Sequence, residues 1–175
     1  AKVTLVSGKT NLEPPYGVEF VPVISAKDMF EAVTTRAEQQ DIIIKAAAVA
    51  DYRPAQVAEN KIHKSDDDMS IHLERTKDIL AWLGTHRREG QVLCGFAMET
   101  EHMVEHAQEK LTRKHVDMIA ANNVKVAGAG FGTDTNVVTL ITAEGVRELE
   151  MMSKEEVSVA LVDEALRIGN FNKAE

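Results

Sequence analysis

Cysteine is almost missing from this sequence: Cys94 is the single one in 175 residues. One thiol cannot form an internal disulfide, so packing and hydrogen bonds must hold the fold. Its neighbours Val92, Leu93, Gly95 and Phe96 place it in an apolar strand, where a thiol behaves as a small hydrophobe. Paired cysteines belong to oxidising compartments, and their lack fits a cytoplasmic setting. Aromatic residues are scarce too, at 5%, which leaves Val, Ile, Leu, Ala and Met to build the core. No apolar run reaches the roughly 18 residues of a membrane-crossing helix, so no membrane partner is expected. The opening Ala-Lys-Val-Thr-Leu-Val-Ser-Gly reads as a strand and its turn, not as a signal peptide. Positive charge is outweighed, with 20 Lys and Arg against 28 Asp and Glu and a net charge of −8. That balance argues against nonspecific duplex binding, where the phosphate backbone rewards Lys and Arg. A local group of lysines can still hold a triphosphate inside an acidic protein.

Several chemical signatures are also missing. There is no GxGxxG and no Walker A lysine loop. Gly128-Ala129-Gly130-Phe131-Gly132 is glycine-rich, but Asp134 and Asn136 follow it with no clear helix start. No Gly-x-Ser-x-Gly elbow occurs. The six histidines lack metal-ligand spacing backed by cysteines. No repeat and no linker interrupts the chain, whose length suits one domain.

What is present is alternation of strand and helix patterns. Residues 3–6 and 18–23 read as strands, and the Pro14-Pro15 segment between them as a loop. A helix is predicted from Ser25 or Ala26 to about Gln39, with Ser25 capping and Asp28 three residues on. Residues 41–48 are nearly unbroken apolar, the pattern of a strand buried on both faces of a parallel sheet. Residues 51–70 are polar and read as a mobile loop, with Tyr52-Arg53-Pro54 closing a turn and Asp66-Asp67-Asp68 a solvated one. Further strands are predicted at 70–73, 91–97 and 116–121, and helices at 78–88, 103–114 and 154–168. Residues 124–135 read as a loop. Residues 137–142 and 146–151 flank Ala143-Glu144-Gly145 as a hairpin. The implied fold is a three-layer, Rossmann-like α/β domain, a mainly parallel sheet with an antiparallel C-terminal hairpin edge.

In open parallel sheets, ligands gather at the carboxyl ends of the strands. Four such ends carry small or polar residues: Ser7-Gly8, residues 46–51, Gly95-Phe96-Ala97 with Glu99-Thr100, and Asn122-Asn123. All four are expected on one edge of the sheet. Ala46, Ala47 and Ala48 would let a flat group approach the backbone, and Asp51 offers acceptors for ribose hydroxyls or an exocyclic amine. The same alanines would also pack under a helix, with Asp51 as a cap. Lys61 and Lys64 lie in the following loop, where a lysine can fold over a nucleotide and meet transition-state charge. Lys110 and Lys114 share a helix face, either for a ligand or as a basic last turn complementing the helix dipole. Asp78 opens a helix whose N–H groups could hold an anion; Thr76 could equally cap it.

The run Lys45-Ala46-Ala47-Ala48-Val49-Ala50-Asp51-Tyr52-Arg53-Pro54, with Lys61-Ile62-x-Lys64 after it, resembles phosphopantothenoylcysteine synthetase of the CTP-dependent bacterial type. Further motifs follow in the same order: Leu73-x-Arg75-Thr76-x-Asp78-Ile79-Leu80, Gly95-Phe96-Ala97-x-Glu99-Thr100, Ala107-x-x-Lys110-x-x-x-Lys114, Asp117-x-Ile119-x-Ala121-Asn122 and Phe131-Gly132-x-Asp134-x-Asn136. The resemblance spans essentially the whole chain. It implies a ligase of coenzyme A biosynthesis, joining 4′-phosphopantothenate to cysteine through an acyl-cytidylate, with CTP as substrate and Mg²⁺ assisting. It implies that Ala46, Ala47 and Asp51 seat the cytidine part, that Lys45 is also nucleotide-binding, and that Lys61 stabilises the activation step. By the same resemblance, Lys77, Asp78, Ile79 and Leu80 supply backbone contacts, while Phe96, Lys110 and Lys114 complete the nucleotide site. A homodimer and a fused or associated flavin-dependent decarboxylase half are implied as partners.

Two departures stand out. The family commonly has Pro where this chain has Lys77. Its front, a Gly-rich turn and an Asn-x-Ser-Ser-Gly segment for the phosphopantothenoyl part, has no match here. The chain is therefore expected to be an N-terminally truncated fragment that binds CTP weakly or moderately and does not complete the synthesis alone. An ATP-dependent relative and a non-catalytic nucleotide- or partner-binding module are the alternatives. In a thermal-shift titration CTP is expected to raise Tm more than ATP does; tighter ATP binding would overturn the CTP assignment.

Overall fold

The structure, a computed structural model, describes residues 1–63, 68–99, 102–123 and 133–171. Lys64, Asp66, Asp67, Thr100, the glycine-rich stretch 128–132 and most of the loop expected at 124–135 lie outside the described residues. The chain opens with strands β1 (Thr4–Ser7) and β2 (Glu19–Pro22), helix α1 (Ala26–Thr34) and a short 3-10 turn at Ala37–Gln39. Strands β3 (Ile42–Lys45), β4 (Tyr52–Pro54) and β5 (Leu73–Arg75) precede helix α2 (Ile79–His86). Then come β6 (Val92–Glu99), α3 (Met103–Lys114), β7 (Met118–Asn123), β8 (Thr135–Asn136), β9 (Val138–Thr142), β10 (Gly145–Glu148), β11 (Met152–Ser153) and α4 (Lys154–Ile168). These elements form two compact units: Ala1–Val33 with Ala48–Asp78, and Thr34–Ala47 with Ile79–Glu175.

The second unit is built on a five-stranded sheet of order β10-β9-β7-β6-β3. Strands β3, β6 and β7 are parallel, while β9 and β10 add an antiparallel hairpin edge. Parallel neighbours need a crossover connection; α2 leads into β6 and α3 joins β6 to β7. Strand alternation then sorts the side chains. Val92, Cys94, Met118, Ala120, Val138 and Leu140 share one core with Val157, Leu161 and Ala165 of α4. Those three α4 residues recur every fourth position, the spacing of one helix face. On the opposite face Leu93, Ile119 and Ile141 are buried, and the Leu80 and Ile119 side chains close over Gly95. Helices α2 and α3 lie against that side, giving the three layers and the antiparallel edge that the sequence implies.

Local chemistry fixes the helix ends. The Glu156 N–H donates to the Ser153 hydroxyl at 3.2 Å, and the Ser153 N–H donates to the Glu156 carboxylate at 2.8 Å. This capping box starts α4. The Ser153 hydroxyl, then its N–H, hold the Glu156 carboxyl below its ordinary range. Between β6 and β7 the Asp117 carboxylate accepts the Leu93 N–H at 2.8 Å, and Asp117 donates its own N–H to the Leu93 carbonyl at 3.0 Å. Arg87 binds the same carboxylate through two nitrogens, each at 2.9 Å. The buried Gln91 side chain donates to the carbonyls of Ala37 at 2.7 Å and Gln40 at 2.6 Å, which ties the 3-10 turn to β6. Burial pushes the Cys94 thiol up to about 12, so it stays protonated at neutral pH, as its apolar neighbours imply.

The first unit holds two small sheets. Strands β1 and β2 pair in parallel from Thr4↔Glu19 to Ser7↔Pro22. Strands β4 and β5 pair antiparallel, Tyr52 with Arg75, Arg53 with Glu74 and Pro54 with Leu73. Ser25 and Asp28 form the expected reciprocal cap of α1, at 2.9 and 3.1 Å.

Four expectations are corrected. Helix α1 stops at Thr34 instead of running to Gln39; Val33, Thr34 and Thr35 are three β-branched residues in a row, which crowd a helix. Strand β3 is half-buried with Ile44 39% exposed, because it is the terminal strand of its sheet. Tyr52-Arg53-Pro54 is a strand, not a turn, and the strand expected at 70–73 lies at 73–75, where it pairs with 52–54; the pairing joins distant residues that local patterns cannot register. Ser7-Gly8 ends β1, which pairs with β2 in a two-stranded sheet of the first unit and, among the described residues, is not a strand of the sheet that holds β3, β6 and β7.

One glycine sets how closely α2 approaches α3. A Cβ at Gly84 would lie 1.8 Å from the Lys114 carbonyl oxygen. Gly84→Ala must push the helices apart and is expected to destabilise the protein by about 1–3 kcal/mol, read as a lower Tm. An unchanged Tm would show that this contact is not tight.

Candidate functional site

The residues singled out from sequence fall into two groups, one in each unit. In the second unit the parallel register sets the first group. Lys45, the last residue of β3, lies beside Gly95 of β6, and Gly95 beside Ile119 of β7. Phe96 follows Gly95, half-buried, and packs against the α4-side core. Ala46 and Ala47 continue from the end of β3 and are exposed; with only methyl groups they leave the backbone accessible. The alternative of alanines packed under a helix does not fit that exposure.

Lys110 is the most informative residue of this group. Its ammonium donates to the Phe96 carbonyl at 3.0 Å, so a helix residue delivers a positive charge to strand β6. An ammonium has three donors, which leaves two for an anion. Half-burial of the stem and the fixed carbonyl partner make this a placed charge rather than a trailing surface lysine. Lys114 follows one turn later in the last turn of α3, and its carbonyl is the group pressed by Gly84. At the neighbouring end of β7, the Asn136 amide donates to the Asn122 side chain at 3.2 Å and accepts the Val137 N–H at 2.9 Å. Two asparagines from separate sequence motifs thus meet at one strand end. Ile79 and Leu80 begin α2 with side chains buried in the core, so only their backbone can serve a ligand, as the resemblance implies.

In the first unit the second group gathers around Asp51. Its carboxylate is exposed and has no hydrogen bond among the described residues. Its backbone is held: the Thr76 N–H donates to the Asp51 carbonyl at 2.9 Å, and the Thr76 hydroxyl donates to the Ala50 carbonyl at 2.6 Å. The Thr76 hydroxyl proton is therefore committed to Ala50. Arg53 and Glu74 lock the β4–β5 ladder by an ion pair at 2.6 Å, and the Ala55 N–H adds a further bond to the His72 carbonyl. That ladder is the base of the long segment carrying Lys61, which is exposed with no partner among the described residues. Lys77 places its ammonium 4.7 Å above the Phe30 ring, a cation–π contact. Helix α2 starts two residues later despite Lys77 standing where proline is common. Asp78 is exposed just ahead of it.

Sequence reasoning missed the backbone roles of Thr76 and Asp117. Both sit in motifs, but their function lies in bonds to residues 24 to 26 positions away, which no local pattern reveals. Among the described residues no group of three or more His, Cys, Asp or Glu side chains converges as a metal site, and no helix is long and apolar enough to cross a membrane.

The fold and these strand ends define a Rossmann-like α/β domain, a class whose ligands gather at the carboxyl edge of the parallel strands. Residues 1–168 match the family described as the DNA/pantothenate metabolism flavoprotein C-terminal domain, and the chain belongs to that family. It is 48% identical over 166 residues to the coenzyme A biosynthesis bifunctional protein CoaBC of Bacillus subtilis, covering 94% of this chain and 41% of that protein. It is 39% identical over 170 residues to a cysteine/cysteine sulfinic acid decarboxylase from an unidentified prokaryote, covering 96% of this chain and 47% of the other. The crystal structure of the C-terminal domain of CoaBC superposes with a TM-score of 0.77 at 45% identity, over 93% of this chain and 74% of that one. The chain thus spans less than half the length of these two relatives.

The placed charge at β6 is tested by separating phosphate from nucleoside binding. Lys110→Ala and Lys114→Ala are each expected to weaken CTP by about tenfold or more, as for a lost hydrogen bond to a charged group, and CMP by less. Equal losses for CTP and CMP would mean that neither lysine meets the terminal phosphates.

Proposed function

We propose that this chain is the phosphopantothenate–cysteine ligase part of coenzyme A biosynthesis and that it uses CTP. The reading is carried by the Lys110 ammonium held at the β6 carbonyl of Phe96, where an anionic ligand of the carboxyl edge would sit. Similarity to CoaBC over nearly the whole chain supports the pathway.

On this reading a carboxylate oxygen of 4′-phosphopantothenate attacks the α-phosphorus of CTP. Pyrophosphate leaves and an acyl-cytidylate forms. The cysteine amine then attacks the acyl carbon, CMP leaves, and the amide remains. Ala46, Ala47 and Asp51 take the cytidine part, and Lys45 is also nucleotide-binding. Lys77, Asp78, Ile79 and Leu80 offer backbone contacts, and Phe96, Lys110 and Lys114 take the rest of the nucleotide. Lys61, on a long exposed segment, brings a further positive charge to the α-phosphate as negative charge builds there. Magnesium belongs to this reading as a companion of the triphosphate, which is how Mg²⁺ commonly reaches nucleotide sites. A homodimer, association with a flavin-dependent decarboxylase half, and a cytoplasmic location complete the proposal.

A second reading is favoured by one observation: a relative of nearly equal coverage is named as a decarboxylase of cysteine or cysteine sulfinic acid. In such a protein this domain would be a binding or partner module without ligase chemistry. Lys61→Gln separates the two when placed in the longest protein that contains this chain. The ligase reading expects CTP-dependent pyrophosphate release to fall about 100-fold or more, the scale for removing one transition-state charge stabiliser. Unchanged synthesis would favour the module.

A further inference from the structure

We propose that Thr76 is a positioning residue, a clamp that fixes the Ala50–Asp51 peptide and so aims the Asp51 carboxylate at the nucleoside. This inference rests on the reading that Asp51 recognises cytidine. Thr76 bonds to two consecutive carbonyls, Ala50 through its hydroxyl at 2.6 Å and Asp51 through its N–H at 2.9 Å. Bonds on these successive carbonyls restrain the peptide planes on both sides of the Asp51 Cα, and with them the Cα–Cβ direction of Asp51. The Asp51 carboxylate itself adds no restraint, because it is exposed and makes no hydrogen bond among the described residues. The clamp continues the β4–β5 ladder by one step, since Tyr52 pairs with Arg75. It also links the Asp51 segment to Lys77 and Asp78, the next two residues in the chain. Threonine suits the task because its branched Cβ leaves few χ1 rotamers, so the hydroxyl is held ready before any ligand arrives.

Thr76→Val removes the hydroxyl at nearly constant shape, and Thr76→Ser keeps it. Calorimetric titration of the full 175-residue chain would use CTP, CMP and inorganic tripolyphosphate. Thr76→Val is expected to weaken CTP and CMP about five- to tenfold, the scale of one lost hydrogen bond, and to leave tripolyphosphate unchanged. Thr76→Ser is expected to restore most of the affinity. In the ligand-free chain, Thr76→Val should speed amide hydrogen exchange at 51–53 and 73–76 and not in α3 or α4. Unaltered CTP affinity, or equal losses for CTP and tripolyphosphate, would overturn the positioning role, as would unaltered exchange. If the unsubstituted chain binds neither CTP nor CMP, the cytidine reading is rejected, and the exchange measurement alone then decides whether the clamp exists.

Discussion

Asp117 stands where two strands and a helix end must agree. Its carboxylate takes the Leu93 amide and both arms of Arg87, while its own amide returns a bond to Leu93. Charge-assisted bonds of this kind are short and directional, and the pair is only about a quarter exposed. The bonds set where β7 begins against β6. From there the register runs without a break through Cys94↔Met118 to Ala97↔Ala121. A slip of one residue would send every side chain to the opposite face. It would move the Phe96 carbonyl out of the reach of Lys110 and separate the α4 stripe from its core. The candidate site at the carboxyl edge thus depends on a carboxylate at the other end of the strands.

Much of this architecture was legible in the sequence where the signal is local. Helices α3 and α4 have the predicted bounds, because a strong 3.6-residue period and, for α4, the Ser153–Glu156 box define both ends within a few residues. The β9–β10 hairpin follows from Ala143-Glu144-Gly145 for the same reason. The β4–β5 ladder did not follow, since its pairing joins Arg53 to Glu74 across a polar segment that has no period of its own. The exposure of β3 was hidden as well. An apolar run looks the same in a central strand and in a terminal one, and only the strand order distinguishes them.

The candidate site divides in a similar way. Motif resemblance named Asp51, Lys61, Lys110 and Lys114 with roles attached, while composition and spacing left several of them equally well explained as caps or dipole partners. The geometry adds different information. It gives Lys110 a fixed partner, leaves only the backbone of Ile79 and Leu80 available, and commits the Thr76 hydroxyl to Ala50. Threonine and aspartate are common in loops, so nothing in their identity announces a clamp. Small side chains explain the remainder: Gly84 brings α2 onto the Lys114 carbonyl, and Gly95 lets Leu80 and Ile119 close over the strand.

The central claim is that the carboxyl edge of the parallel strands in the second unit holds the nucleotide, with Lys110 as its placed charge. Residue-resolved amide hydrogen exchange with and without CTP tests it most directly. Slowed exchange at 95–98 and 110–114, with β9 and β10 unaffected, is expected. Protection confined to the outward surface of α3 around Glu105, Glu109 and Thr112, with no change at 95–98, would contradict it.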